Sequence, residues 1–131
     1  MVNRLKKIII IEDSRPTLLT LEIVITNLGF VVEGFETAEA ALQHLHNSAQ
    51  QPDLILTDLH LDALDCEKGL DGIELIQEIK KINDLKDIPI LLLTSETSKE
   101  KRFLARDIGA QGWLVKPITR AKLKDVIDQF I

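Results

Sequence analysis

Four apolar runs in this chain end in polar residues of the kind that handles phosphoryl groups. IIIIEDSRP (residues 8–16) passes from isoleucines to Glu12 and Asp13, and DLILTD (53–58) ends in Asp58. IPILLLT (88–94) ends in Thr94, followed by Ser95, and GWLVK (112–116) ends in Lys116. If the runs are strands pointing the same way in one sheet, three carboxylates, a hydroxyl and an ammonium meet at one edge. Three carboxylates and one ammonium leave a local charge of −2, and crowding with burial should raise some of the carboxylate pKa values. One Mg²⁺ brings that sum to zero. Mg²⁺ prefers oxygen ligands and takes one or two carboxylates together with phosphate oxygens. An aspartate beside such a metal can also accept a phosphoryl group. Thr94 and Lys116 are then the hydroxyl and fixed cation that a transferring phosphoryl group needs. No glycine-rich phosphate loop is present, so nucleotide binding has no support.

The elements that must position these residues alternate along the chain. β-rich runs occupy 6–12, 30–35, 53–58, 88–94 and 112–116. The runs at 8–11 and 90–93 are continuously apolar, which implies burial on both faces of a sheet. Helical stripes lie between them: Leu18, Leu21, Ile25 and Leu28 with Gly29 as the stop; Ala38, Ala41, Leu42 and Leu45; Ile73, Ile76 and Ile79; and Leu123, Val126, Ile127 and Phe130. A weaker helix is expected to begin at TSKE (97–100). Such βα alternation predicts a parallel α/β sheet with helices on both faces. Pattern alone leaves the strand order open, but both common doubly wound orders put the ligand crevice at the carboxyl ends of the strands.

The chain has 131 residues, 45% apolar and 28% charged, with a formal net charge of −5. That fits one soluble domain over 1–131 and disfavours direct nucleic-acid binding. A single cysteine, Cys66, excludes an internal disulfide and suits a reducing compartment. The apolar start is too short for a signal-peptide core or a membrane span. The chain reads as cytoplasmic, with no membrane partner.

In its residues and their order the sequence resembles a response-regulator receiver domain of two-component signalling. The resemblance rests on Glu12 and Asp13, on Asp58 ending the third run, on LLLTS with Thr94, and on GAQGWLVKP with Lys116 and Pro117. It spans residues from about 5 to 131. It implies a flavodoxin-like, CheY-like fold with a five-stranded parallel sheet in the order 2-1-3-4-5. It also implies a phosphorylation-activated signalling switch rather than an enzyme. By the same resemblance Asp58 is the phosphoacceptor, and Asp13 and Asp58 bind Mg²⁺ with the His60 backbone carbonyl as a further ligand. Glu12 acts mainly through metal-bound water, while Thr94 and Lys116 hold phosphoryl oxygens. Trp113 occupies the place of the switch aromatic, and the Lys116–Pro117 bond is cis. The implied partners are a sensor histidine kinase or histidine phosphotransfer protein, docked on the helix after Asp13, and a downstream protein target; the oligomeric state stays open. Two departures stand out. Asp58 and Gly72 lie 14 positions apart, a longer loop than the family usually has and without its usual proline. Trp113 is bulkier than the usual Tyr or Phe, which limits inward rotation.

Other readings compete with this one. An aspartate-nucleophile phosphatase usually carries a second acid two residues after the nucleophile, where this chain has His60. A pseudo-receiver that has lost phosphorylation conflicts with the full set of required residues. His44 and His46 read as surface residues on different helix faces, Cys66 as an incidental thiol, and Asp62, Asp65 and Glu67 as solvated loop acids. Leu18 and Leu19 cannot both face the core, so one should be exposed. The chain reads as a complete single-domain regulator, with a receiver fragment of a larger regulator as the alternative.

Overall fold

The computed structural model describes residues 5–47, 50–58, 72–82, 85–94, 103 and 106–131. The described elements are β1 (Lys7–Ile11), α1 (Arg15–Asn27), β2 (Val31–Phe35), α2 (Ala38–Asn47), β3 (Leu54–Asp58), α3 (Gly72–Lys80), β4 (Ile90–Thr94), β5 (Gly112–Val115) and α4 (Arg120–Phe130). The five strands pair in parallel in the order β2-β1-β3-β4-β5, the order that the resemblance implied. The helix start expected at 97–100 lies outside the described residues, as do His60, Cys66, Asp62, Asp65, Glu67 and Ser95.

The uninterrupted isoleucines of β1 are explained by its place inside the sheet. Successive side chains of a strand point to opposite faces. Ile9 and Ile11 therefore join Ile55, Ile90 and Leu92 against α2 and α3. Ile8 and Ile10 join Leu54, Leu56, Leu91 and Leu93 against α1 and α4. Both sets are fully buried. On α1 the stripe Leu18, Leu21 and Ile25 is buried, and the helix closes as expected at Gly29. The Gly29 N–H donates to Thr26 and that of Phe30 to Ile25, with Gly29 at φ 102°, a Schellman stop that favours glycine. A second glycine sets a spacing. A Cβ at Gly34 would lie 2.0 Å from Glu22 Oε1 and 2.9 Å from Leu18 Cδ1, so its absence lets α1 rest close on the edge strand.

One stripe differs from expectation. On α3 the buried side chains are Leu75, Ile76 and Ile79, while Ile73 is only partly buried. At about 100° per residue, Ile73 falls on the flank of the face that Leu75, Ile76 and Ile79 share.

The surface reading of His44 is also corrected. Its Nε2 lies 2.7 Å from Glu33 Oε2, and its ring packs 5.1 Å from that of Phe35. Glu33 also pairs at 2.5 Å with the ammonium of Lys7, a residue only 5% exposed. Charges on the edge strand β2, such as Glu33, are of the kind that discourages edge-to-edge pairing. Removing the carboxylate leaves the Lys7 ammonium without its anion. Glu33→Ala is therefore expected to lower stability by roughly 1–3 kcal/mol, less than a fully buried pair because Glu33 is a third exposed. Urea unfolding measures it, and an unchanged midpoint would contradict the account.

Candidate functional site

The strand register brings the polar residues together. Ile11 pairs with Thr57 and Asp58 with Leu93, so the residue after β1, Glu12, arrives beside the last residue of β3. Thr94 pairs with Val115, and the N–H of Lys116 donates to the Thr94 carbonyl at 2.7 Å. Glu12 is fixed by its own backbone, whose N–H donates to the Phe35 carbonyl at 3.0 Å. Glu12, Asp58 and Thr94 are almost fully buried, at 1%, 6% and 1% exposure. Asp13 is half-buried. The clustering expected at the carboxyl edge of the sheet is thus present for Glu12, Asp13, Asp58, Thr94 and Lys116.

Lys116 is the centre of the arrangement. Its Nζ donates to Glu12 Oε2 and to Asp58 Oδ2, each at 2.9 Å. The other oxygen of Glu12 accepts from the Ser14 backbone N–H at 3.2 Å. Burial pushes the Glu12 carboxyl up to about 7, with Lys116 opposing and the neighbouring Asp58 reinforcing the rise. Burial works against the charge on Lys116, but the two carboxylates outweigh it and raise its pKa, so the ammonium persists. Between them these residues form a desolvated acidic pocket with its own internal cation.

The shift on Glu12 carries a pH prediction. The group is neutral in both states below about 4.5, its unfolded value. Between there and about 7 the unfolded chain releases the proton while the folded chain keeps it. Stability contributed by this group therefore falls as pH rises through that window and levels off above it, by on the order of 3 kcal/mol. Glu12→Gln should flatten the slope of unfolding free energy against pH in this interval; an identical slope in the variant would rule the assignment out.

The donor set suits a hard divalent cation. One oxygen from each of Glu12, Asp13 and Asp58 lies within 4.8 Å of the others, and all three are carboxylates, the ligand type Mg²⁺ prefers. The expected carbonyl ligand His60 lies outside the described residues. The Lys116–Pro117 bond is cis. Trp113 on β5 pairs with Leu92 on β4 and is partly buried against the cluster under α2 and α3, on the sheet face that Leu92 and Thr94 share by alternation.

Two parts of the neighbourhood were not read from the sequence. The Ser14 N–H contact to Glu12 is a backbone bond, which no side-chain pattern announces. Beside the pocket there is also a cleft of about 340 Å³, to which α1 contributes Pro16, Thr17, Thr20 and Leu21 and the loop after β5 contributes Lys116, Pro117 and Ile118. Its only sequence trace is a proline near each end, Pro16 in the first turn of α1 and Pro117.

Comparison with known proteins gives a consistent result. The family model "Response regulator receiver domain" matches residues 8–128. Chemotaxis protein CheY-3 of Vibrio cholerae is 28% identical over 130 residues, covering 98% of this chain and 94% of its own. Chemotaxis protein CheY of Pseudomonas aeruginosa is 30% identical over 128 residues, covering 94% of each. The solved structure of Vibrio cholerae chemotaxis protein CheY4 superposes with a TM-score of 0.88 at 26% identity, over 98% of this chain and all of that one. With sheet order, acidic pocket and relatives in agreement, the chain belongs to the response regulator receiver domain family of phosphorylation-activated signalling switches.

Proposed function

We propose that residues 1–131 form one receiver domain in which Asp58 accepts a phosphoryl group from a phosphohistidine of a sensor histidine kinase or histidine phosphotransfer protein. The observation that carries this reading is the Lys116 ammonium shared at 2.9 Å between Glu12 and Asp58. It places a fixed cation on the carboxylate that ends β3. In the transfer an Asp58 oxygen attacks phosphorus, the P–O bond forms as the P–N bond breaks, and the imidazole leaves with its electron pair. Asp13 and Asp58 would hold Mg²⁺, with Glu12 supporting it through water; bound there, the ion neutralises charge on the transferring group. Lys116 supplies a second cation to a phosphoryl oxygen, and the Thr94 hydroxyl a hydrogen bond to another. Movement of Thr94 would then be felt by Trp113 on the same sheet face, altering a contact surface for a downstream protein.

The experiment that tests this is chemical trapping. Borohydride reduction of the phosphorylated protein should convert one aspartate to homoserine, and peptide mass analysis should find it at position 58. Homoserine at position 13, or at neither, would overturn the assignment.

The same reading, by resemblance to the family, has the phosphodonor dock on α1. The exposed apolar side chains of α1 suit contact with a protein partner. Of the two adjacent leucines, Leu18 is 5% exposed and Leu19 47%, and Ile23, one turn on, is 62% exposed. Leu19→Glu should slow transfer from the cognate kinase severalfold without unfolding, whereas Leu18→Glu should unfold the domain. Phosphotransfer rates with circular dichroism as the folding control decide it. A Leu19→Glu protein transferring at the wild-type rate would move the docking face elsewhere.

A further inference from the structure

The described lysines differ in what holds their ammonium. Lys7 pairs with Glu33, Lys81 with Glu78, Lys124 with Asp128, and Lys116 with Glu12 and Asp58. In each of these a carboxylate keeps the proton in place. Lys6 meets the Ile131 carbonyl but is exposed to water. Lys80, at the end of α3, is held differently. Its Nζ donates to the Lys86 carbonyl at 2.9 Å and reaches that of Ile88 at 3.5 Å. Its stem lies along Gly109, where a Cβ would come within 2.8 Å of Lys80 Cε and 3.3 Å of its Cγ. The nitrogen is thus drawn from water toward two neutral carbonyls, and no carboxylate among the described residues bonds it. Burial lowers its pKa from the ordinary lysine value, with the exposed Asp87 opposing.

We infer that Lys80 is a nucleophilic modification site that takes the acyl group of a small acyl phosphate. The geometry suits the neutral amine. Its two N–H groups match the two carbonyls, which leaves the lone pair directed away from both. Charging the nitrogen adds a third N–H, for which the described residues offer no acceptor. In the transfer the lone pair attacks the acyl carbon and a C–N bond forms. The bond from that carbon to the phosphate oxygen breaks, and phosphate leaves with the electron pair. The nitrogen then releases one proton to water, and the product is an uncharged amide. That amide keeps one N–H for the Lys86 carbonyl and leaves the Ile88 carbonyl, just ahead of β4, without the lysine. No residue of the acidic pocket enters this step, so it is independent of phosphoryl transfer to Asp58.

Lys81 supplies the comparison. It is the next residue, its side chain is 71% exposed, and it pairs with Glu78, so access alone favours Lys81 whereas the carbonyl-held amine favours Lys80. The intact protein is incubated with acetyl phosphate in EDTA, and peptide masses follow acetylation of each lysine with time. Near about pH 7.5, Lys80 should react about threefold faster than Lys81 or more, because a lowered pKa leaves more of the amine neutral. As pH is raised, the rate at Lys80 should level off below 10.5, the ordinary lysine value. Lys80→Arg keeps donors for the two carbonyls and should lose the fast acetylation, while Lys81→Arg should retain it. Equal rates at the two positions, or a faster Lys81, would overturn the inference. So would a rate at Lys80 that still climbs through pH 10.5, or fast acetylation that survives in Lys80→Arg.

Discussion

Incubated with Mg²⁺ and acetyl phosphate, the wild-type protein is expected to gain the mass of one phosphoryl group, and Asp58→Asn to gain none. The expectation is nearly all-or-none because the carboxamide keeps the shape of Asp58 but loses its nucleophilic oxygen. Asp58 is 6% exposed and is fixed at the end of a strand by its pairing with Leu93. Glu12 is held from both sides, by Lys116 on one oxygen and the Ser14 N–H on the other. Withdrawing Mg²⁺ with EDTA should slow the wild-type reaction on the order of 10²-fold or more, since a bound metal is worth several kcal/mol to the developing charge. Intact-mass measurement reads all three conditions. Equal mass gain in wild type and Asp58→Asn would remove Asp58 from the reaction.

Most of the sheet was legible because its inner strands β1, β3 and β4 are buried on both faces, which writes them as continuous apolar runs such as those at 8–11 and 90–93. The ends of those runs also showed where polar chemistry begins, and that alone located Glu12, Asp58, Thr94 and Lys116. Strand order was not legible from pattern, since parallel strands carry no mark of their neighbours; the resemblance supplied it. Contacts that join distant elements were invisible for the same reason. Glu33 meets Lys7 and His44 only because β1, β2 and α2 converge, and nothing in their spacing foretells it. The choice between Leu18 and Leu19 needed the helix's rotation, which Leu21 and Ile25 define more firmly than Leu28 does. On α3 the visible isoleucines pulled the stripe toward Ile73, although Leu75 is the residue that is buried. The sharing of Lys116 between two carboxylates depends on angstrom-scale geometry at three strand ends, a scale that residue types do not encode.

The second large effect concerns Asp13. It is the one carboxylate of the cluster with substantial solvent exposure, and it can serve the cation without first being desolvated. Replacing it by alanine removes a direct ligand, whereas loss of outer-shell partners alone commonly costs 10–100-fold in metal affinity. Asp13→Ala is therefore expected to weaken Mg²⁺ binding by at least about 100-fold in calorimetry. The same change removes one negative charge from beside Glu12 and Asp58. In EDTA, where no divalent cation adds to the single charge of Lys116, the variant should melt at a higher temperature than wild type, because like charges in one pocket oppose folding. The two measurements pull in opposite directions, and that separates a ligand from a structural residue: a residue that merely braced the loop would lower affinity and melting temperature together. Unchanged Mg²⁺ affinity in Asp13→Ala would exclude Asp13 from the metal site. A lower melting temperature in EDTA would show that Asp13 holds the turn after β1 rather than crowding the pocket.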